Sequence, residues 1–471
     1  MSSLPPPITS EQLAALPPEF QTLLRAVIDY YEGQISELKD EISRLKKTPK
    51  NSSLPPSTQH PHAKPAPPEK PSGKKPGGQP GHLKHSRPLV PTGQCDQVVT
   101  FKPEECRRCA KRLRGCDPEP LRHQVYELPV IRPVITEYQL HRLICLGCGA
   151  STCAELPHGV PIGQNGPRMV AFAAVLMAFF RQSKRRTALF LETICNVPCS
   201  TGLTVKLQNT ASAALEPAYQ ELVAALPTQT AVNADESPTK EGRLKAWTWV
   251  VAAAHFTVFA IRTSRKAKVI KELLTEAYGG VVTCDRAKMY LWLETIQWCW
   301  AHLKRDFQAM VDAGGTAKPI GTELLEHTAE LFRHLHRARD GSLSRMGLNR
   351  HLNRLYWAVY VALEDGMCCT HAPTAATCKE LLRRYDALWT FRHHLGVEPT
   401  NNVAERAVRH AVIWRKLSFG TKSAAGSRFV ERLLTVIETC RQQDRNVLDF
   451  VTSSVERHFD YSEHPSLLPG V

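Results

Sequence analysis

Three carboxylates and four cysteines carry the chemistry that this sequence could do. Asp235 ends a short apolar run, AVNAD, and Asp285 ends another, GVVTCD. Glu405 is the single acid in TNNVAERAVRHAVIWRKLSFG, Thr400 to Gly420, among Arg406, Arg409, His410, Arg415 and Lys416. The plain reading of Glu405 is an i,i+4 ion pair with Arg409, worth only ~0.3–0.5 kcal/mol. The chemical reading is a ligand. Hard, compact Mg²⁺ prefers carboxylate oxygens and keeps waters for substrate phosphates. Two such ions can activate an attacking oxygen and stabilise the leaving oxygen of an in-line displacement. Arg406, Arg409, Arg415 and Lys416 would then hold DNA phosphate, and their charge would keep Glu405 ionised. The cysteines form two C-x-x-C pairs, Cys106/Cys109 and Cys145/Cys148. Each such turn aims two thiolates at one point, so two turns suit one tetrahedral Zn²⁺. Cys95, Cys116 and Cys153 lie near enough in sequence to be alternative ligands.

Each residue also has a plainer reading. Taken alone, Asp235 reads as a turn residue and Asp285 as the cap of a following helix. Glu236 rivals Asp235, but adjacent strand residues face opposite sides, so only one of the two can enter a site. Cys299 and His302 have ligand-like spacing, yet two ligands do not close a zinc site, and packing is the favoured reading. Cys284 reads as a small buried hydrophobe rather than a nucleophile.

The elements that must position these groups follow from periodicity. From residue 231 the text alternates as strands: AVNADESPTK, then KAWTWVVAAAHFTVFAIRTSR as two strands through a turn near Ala254 and His255. KAKVIKELLTEAYGG reads as a helix closed by glycine, GVVTCD as a buried strand, and TIQWCWAHLKRDF as a strand running into a helix. The order strand, strand, strand, helix, strand, strand matches the start of an RNase H-like fold. There an Asp midway along the first strand faces one at the end of the fourth. A third carboxylate must come from a later helix, and Thr400 and Asn401 can cap one that begins near Asn402. Fifty positions separate Asp235 from Asp285, and 120 separate Asp285 from Glu405, so a helical insertion over 305–395 is expected.

The rest of the chain reads as DNA-binding apparatus. Net charge is +15 with a pI near 9.2, which favours a polyanionic partner. Residues 1–47 read as a helix over 9–47 with Ile28, Tyr31, Ile35, Leu38, Ile42 and Leu45 at a/d spacing, either a coiled coil or a packed helix. Residues 48–92 are a basic, proline-rich linker with one acid, Glu69, and Lys74 and Lys75 there are candidate phosphate contacts. Residues 93–157 read as a zinc ribbon with strands between its knuckles. Residues 158–225 read as a helical, helix-turn-helix-like region, with Ser200 as the N-cap of a recognition helix and Arg181, Lys184, Arg185 and Arg186 as a basic turn. The catalytic core is expected over 226–304 and 396–456, with a tail at 457–471. The longest apolar run, Met169 to Phe180, is 12 residues, below the ~18 of a membrane span. No secretory signal opens the chain.

Together and in order, several motifs resemble one family. KNSSLPPS and GGQPGH in the linker, the paired C-x-x-C, DESP at Asp235, CDRAKMY at Asp285, CWAHLKRDF at Cys299 and NNVAERAVR at Asn401 are similar to those of the DDE transposases of insertion-sequence family sixty-six, the TnpC type. The resemblance implies an RNase H-like DDE core with Asp235, Asp285 and Glu405 as ligands of two Mg²⁺ or Mn²⁺ ions. It also implies one structural Zn²⁺, binding of terminal inverted repeats by the N-terminal part, and cleavage and joining of DNA. A cytoplasmic, nucleoid-associated homo-oligomer is expected, with accessory proteins of the same element possible. Two departures stand out. Arg286 takes a position that is often Gly in relatives. Val412 stands seven residues after Glu405, where many DDE enzymes have Lys or Arg, so Arg409 is the expected substitute. Two rival classes remain: a DNA-binding regulator with an inactive core, and an RNase H-like nuclease that does not join strands.

Overall fold

A computed structural model describes residues 17–45, 81 and 87–470. The expected phosphate contacts Lys74 and Lys75, the KNSSLPPS motif and all of GGQPGH except Gly81 lie outside the described residues. So do the ends of the expected N-terminal helix. Its described part, α1, is Pro18–Leu45. Phe20, Leu23, Val27, Tyr31 and Ile35 on it are exposed.

The cysteine region has less sheet than its text suggests. β1 (Arg142–Ile144) and β2 (Ser151–Cys153) pair antiparallel around the second C-x-x-C. A single bridge, Glu105 to Arg112, encloses the first. Of the strand-like stretch between the pairs only its end, Arg142–Ile144, joins a ladder. Upstream of that end Pro129 and Pro133 remove two backbone donors, and most side chains are exposed. Its contacts are scattered ones: Gln124 Nε2 donates to Val90 O, Asn196 Nδ2 to Ile131 O, and Arg87 lies over the Tyr126 ring.

Four helices follow: α2 (Pro167–Ala178), α3 (Lys184–Thr193), α4 (Thr201–Ala214) and α5 (Glu216–Ala225). Ser200 caps α4 as expected, its hydroxyl accepting from Leu203 N–H at 3.1 Å. The buried faces of these helices join the main hydrophobic core, with Val170, Ala174, Leu207 and Ala211 fully enclosed.

The sheet comes next. β3 (Ala231–Glu241), β4 (Leu244–Ala252), β5 (Thr257–Arg262), β6 (Val281–Cys284) and β7 (Ile296–Trp298) lie in the order β5-β4-β3-β6-β7. The first three are antiparallel, and β6 and β7 run parallel to β3. Such a mixed sheet among helices is compatible with a DDE-type core. α6 (Ala267–Leu274) links β5 to β6. It ends earlier than its text implies, at Thr275 with φ +66°, so a threonine rather than glycine turns the chain out.

Helices dominate the later chain. α7 (Trp300–Ala313) leaves β7 directly and passes unbroken through the expected 304/305 boundary. α8 (Ala317–Arg339), α9 (Arg345–Met367) and α10 (Ala372–Arg383) form the insertion. α11 (Asn402–Ser418), α12 (Ala424–Gln442) and α13 (Val447–Phe459) close the fold. α12 covers the edge of β5. Glu431, Thr435 and Thr439, spaced i, i+4, i+8, accept from the backbone N–H groups of Ile261, Phe259 and Thr257. Four residues of helix rise about 6 Å and two of strand about 6.7 Å, so the two repeats nearly match. This explains buried polar side chains on α12 and leaves the edge with fewer open donors. No helix among the described residues is long and apolar enough to cross a membrane.

Candidate active site

Register alone brings the two aspartates together. Asn233 on β3 and Thr283 on β6 are the last pair of their parallel ladder. The same register carried two positions further brings Asp235 toward Asp285, just beyond the end of β6. The two are close enough that, besides burial, the Asp285 charge raises the Asp235 carboxyl. With period-2 alternation both share the face of Asn233 and Thr283. Asp235 is mid-strand, since β3 continues to Glu241, and Asp285 is the first residue beyond β6.

Glu405 arrives in the first turn of α11, as its text predicts. Asn401 stands at the cap position, but its side chain makes no cap bond. It is fully buried and pins the helix start to β3 instead: Asn401 Nδ2 donates to Ala234 O at 2.8 Å, and Asn233 Nδ2 donates to Asn401 Oδ1 at 3.0 Å. Asn401 N–H donates to Cys299 Sγ at 3.1 Å, and Trp300 N–H to Pro399 O at 2.9 Å. The 399–401 turn is thereby tied to both β3 and the start of α7.

The electrostatics are those of crowded, desolvated acids. Burial, then the charges of Glu236, Asp285 and Glu405, push the Asp235 carboxyl well above its ordinary range. Burial raises Asp285, opposed by the Ala287 N–H and by Arg265, Arg286 and Arg305. Burial raises Glu405, opposed first by Arg305. The cation that holds Glu405 toward its ionised form is thus on α7, not among the basic residues of its own helix as expected. No ion pair joins Glu405 to Arg409; its Oε1 faces α7, 3.3 Å from His302 Nδ1 and 3.8 Å from Cys299 Sγ. The His302 contact lacks hydrogen-bond geometry, so Nδ1 is buried without a hydrogen-bond partner. Burial, with Arg305 and Arg286 nearby, holds the imidazole pKa down to about 3, so it is neutral.

Glu236 is held away from this use. Arg265 bonds its Oε1 at 2.7 Å and Tyr290 OH its Oε2 at 2.9 Å. Burial and the charge of Asp285 raise its pKa to about 7. Arg286 is clamped by Asp306 on α7 and Glu380 on α10, each at 2.9 Å, which ties the insertion to the residue beside Asp285. Cys284 is fully buried, as expected.

Asp235 and Asp285 fit hard divalent ions in kind. Asp235 Oδ1 accepts only from its neighbour Glu236 N–H, and Asp285 Oδ1 from Ala287 N–H, so each has oxygen capacity left. The three carboxylates do not gather within 4.8 Å; among the described residues the sets that do are Cys299/His302/Glu405 and Glu330/His334/His351.

The four expected zinc ligands stand as two half-sites rather than one assembled site. Cys106, Cys109, Cys145 and Cys148 are not among the sets whose ligand atoms gather within 4.8 Å. The two turns share one hydrogen-bond pattern at the same offsets. Cys106 N–H donates to Lys111 O and Ala110 N–H to Cys106 O, both at 2.9 Å; Cys145 N–H donates to Ala150 O and Gly149 N–H to Cys145 O, both at 2.8 Å. Within each turn the second cysteine serves the first. Backbone N–H groups hold the Cys106 thiol below its ordinary range, and the Cys109 thiol adds to this. Backbone N–H groups and the Cys148 thiol do the same for Cys145. Cys109 and Cys148 are themselves exposed. The bonds that shape each knuckle are local to it, and of the chain between them only Arg142–Ile144, leading into the second, forms a strand.

Of the expected phosphate contacts, Arg185, Arg186, Arg406, Arg409 and Lys416 are exposed. Arg415 is not free: its guanidinium donates to Pro238 O on β3. Arg181 bonds His410 Nδ1 at 2.9 Å, which sets the basic turn before α3 beside α11. Sequence reading missed Asn233, Arg265 and Arg305 and took Asn401 only as a helix cap.

Two proteins of Sinorhizobium fredii are similar to the chain. Uncharacterized protein y4qI is 26% identical over 48% of this chain and 46% of its own length. Uncharacterized protein y4hP is 23% identical over 74% of this chain and 69% of its own. The chain thus spans about half the length of the first relative and about two thirds of the second. The profile described as "Transposase IS66 family" matches residues 163–428, more than half of the chain. The chain belongs to the IS66 family of transposases.

Proposed function

We propose that the chain is a DDE transposase with an RNase H-like core, which binds the terminal inverted repeats of a bacterial insertion sequence, cleaves DNA there and joins it to a target. The register that brings Asp235 toward Asp285 carries this reading. Asp235, Asp285 and Glu405 would hold two Mg²⁺ or Mn²⁺ ions, which when bound supply charge for attack and departure of oxygen at phosphorus. The chain's own part is orientation. Asn401 fixes the start of the Glu405 helix on β3, and the Arg286 clamp steadies the residue beside Asp285. Arg406, Arg409 and Lys416, with Arg185 and Arg186, bind phosphates; Lys74 and Lys75 are expected to add to them. Arg415 secures α11 instead. One Zn²⁺ would draw the half-sites Cys106/Cys109 and Cys145/Cys148 together. The working form would be a homo-oligomer on DNA in the bacterial cytoplasm.

Glu405→Gln tests the assignment, because it keeps size and helix propensity but removes the charge. A purely structural Glu405 would cost at most ~1 kcal/mol and leave activity nearly intact. As a ligand, its loss abolishes cleavage and joining while end binding stays near normal. Wild-type strand transfer by Glu405→Gln in Mg²⁺ would refute the reading. Nicking without joined product by the native chain would favour a nuclease, and end binding without cleavage a regulator.

A further inference from the structure

The donor set that closes around Glu405 is not one that Mg²⁺ prefers. Cys299, His302 and Glu405 each offer one atom, and all three atoms lie within 4.8 Å of one another. Sulfur, imidazole nitrogen and carboxylate oxygen together suit a borderline divalent cation. Tetrahedral Zn²⁺ with bonds of about 2.1 Å to N and O and 2.3 Å to S sets its ligands roughly 3.4–3.6 Å apart. The observed separations are 3.3 Å for Nδ1 to Oε1 and 3.8 Å for Sγ to Oε1.

The surroundings favour a ligand role for each atom. Cys299 occupies the cap position of α7; burial pushes its thiol up to about 11 against the Asn401 N–H, so it keeps its proton until a cation displaces it. Its sulfur already accepts the Asn401 N–H at 3.1 Å. His302 Nδ1 is buried with no hydrogen-bond partner, an arrangement that costs stability unless something fills it. The other set, Glu330/His334/His351, is weaker because Arg354 already pairs with Glu330.

We propose that Cys299, His302 and Glu405 form a binding site for a divalent cation of the Zn²⁺ class, and that filling it withdraws Glu405 from the Mg²⁺-binding carboxylates. On binding, the Cys299 thiol releases its proton to solvent and the thiolate, the imidazole and the carboxylate take three positions, leaving a fourth open. The second half of the proposal rests on the transposase reading; the first half does not.

Cobalt(II) is the probe, since thiolate ligation gives it a charge-transfer band. The full-length chain carrying Cys106→Ser and Cys145→Ser, which disables both knuckles, is titrated with Co²⁺ and then with Zn²⁺. One Co²⁺ per chain with a thiolate band is expected, and Zn²⁺ displaces it. Cys299→Ser removes the band. His302→Asn weakens binding by more than the ~10–100-fold that loss of an outer partner costs, and it gives up no hydrogen bond at Nδ1. A titration without a Cys299-dependent band overturns the site. In strand transfer at fixed Mg²⁺, Zn²⁺ inhibits the native protein; binding without inhibition overturns the withdrawal of Glu405. A native chain inactive in Mg²⁺ would count against the transposase reading, while the cobalt result would still decide the site.

Discussion

Asp235 shows how much strain a single residue carries. A carboxyl whose folded pKa is raised destabilises the fold wherever it is ionised. For Asp235 the penalty is absent below its unfolded pKa of about 4, grows as pH rises, and is complete above its folded pKa. Asp235→Asn deletes that charge and keeps the shape. It should therefore raise the melting temperature of the metal-free protein at neutral pH, while abolishing cleavage. The gain should fade as pH falls toward about 4. Thermal unfolding across pH checks this, and a lower melting temperature at pH 7 would count against it. Glu236→Gln should behave differently: it weakens the links to Arg265 and Tyr290 but retains cleavage. The three acids were legible because each ends an apolar run or stands alone among basic residues. Asn401 was legible only as a helix cap, since its true partners, Asn233 and Ala234, lie more than 160 positions away. The Cys299/His302 pair lacked its third member for the same reason.

At the scale of elements, α11 is fastened at both ends, and its far end makes a sharp prediction. Phe419 leaves the helix at φ +58° and Gly420 continues at φ +102°. Thr421 N–H then donates to Lys240 O at 2.9 Å, and Gly242 N–H to Thr421 O at 2.8 Å, stitching the chain to the β3–β4 hairpin. A Cβ on Gly420 would meet Lys240 O at 2.5 Å. Gly420→Ala should cost ~1–3 kcal/mol from backbone conformation, with the close contact adding to it. Denaturant unfolding measures the loss, and an unchanged midpoint would refute it. Strand order and the start of α11 were readable because apolar periodicity and turn residues are local. The length of α6 was not, because Thr275 adopts a conformation that its residue type rarely does. Of the strand-like text between the cysteine pairs only Arg142–Ile144 found a partner, in Ser151–Cys153, and Pro129 and Pro133 discourage pairing upstream of it. Each knuckle was legible from its own spacing, but the approach of Cys109 to Cys148 depends on the chain between them, which spacing does not describe.

For the whole molecule, the arrangement of charge matters more than its sum. Helices α2–α5 read as a separate DNA-binding region, yet they share the core that α12 and α13 complete. The contact between Arg181 and His410 then joins the basic turn before α3 to the helix of Glu405. Arg185, Arg186, Arg406 and Arg409 are all exposed around this junction. If they form one phosphate-binding surface, two double variants should act alike: Arg185→Ala with Arg186→Ala, and Arg406→Ala with Arg409→Ala. Each lost phosphate contact lowers the slope of log affinity against log salt by about 0.9 on duplex DNA. Both variants should therefore bind DNA more weakly at low salt and converge on the native protein as salt rises. They should weaken end and unrelated duplexes by similar factors, because phosphate contacts position DNA without reading its sequence. Full-length protein is required, since a cut near residue 220 would strip the shared core. Salt-dependent binding isotherms decide the matter: an unchanged slope in either double variant removes that pair from the surface.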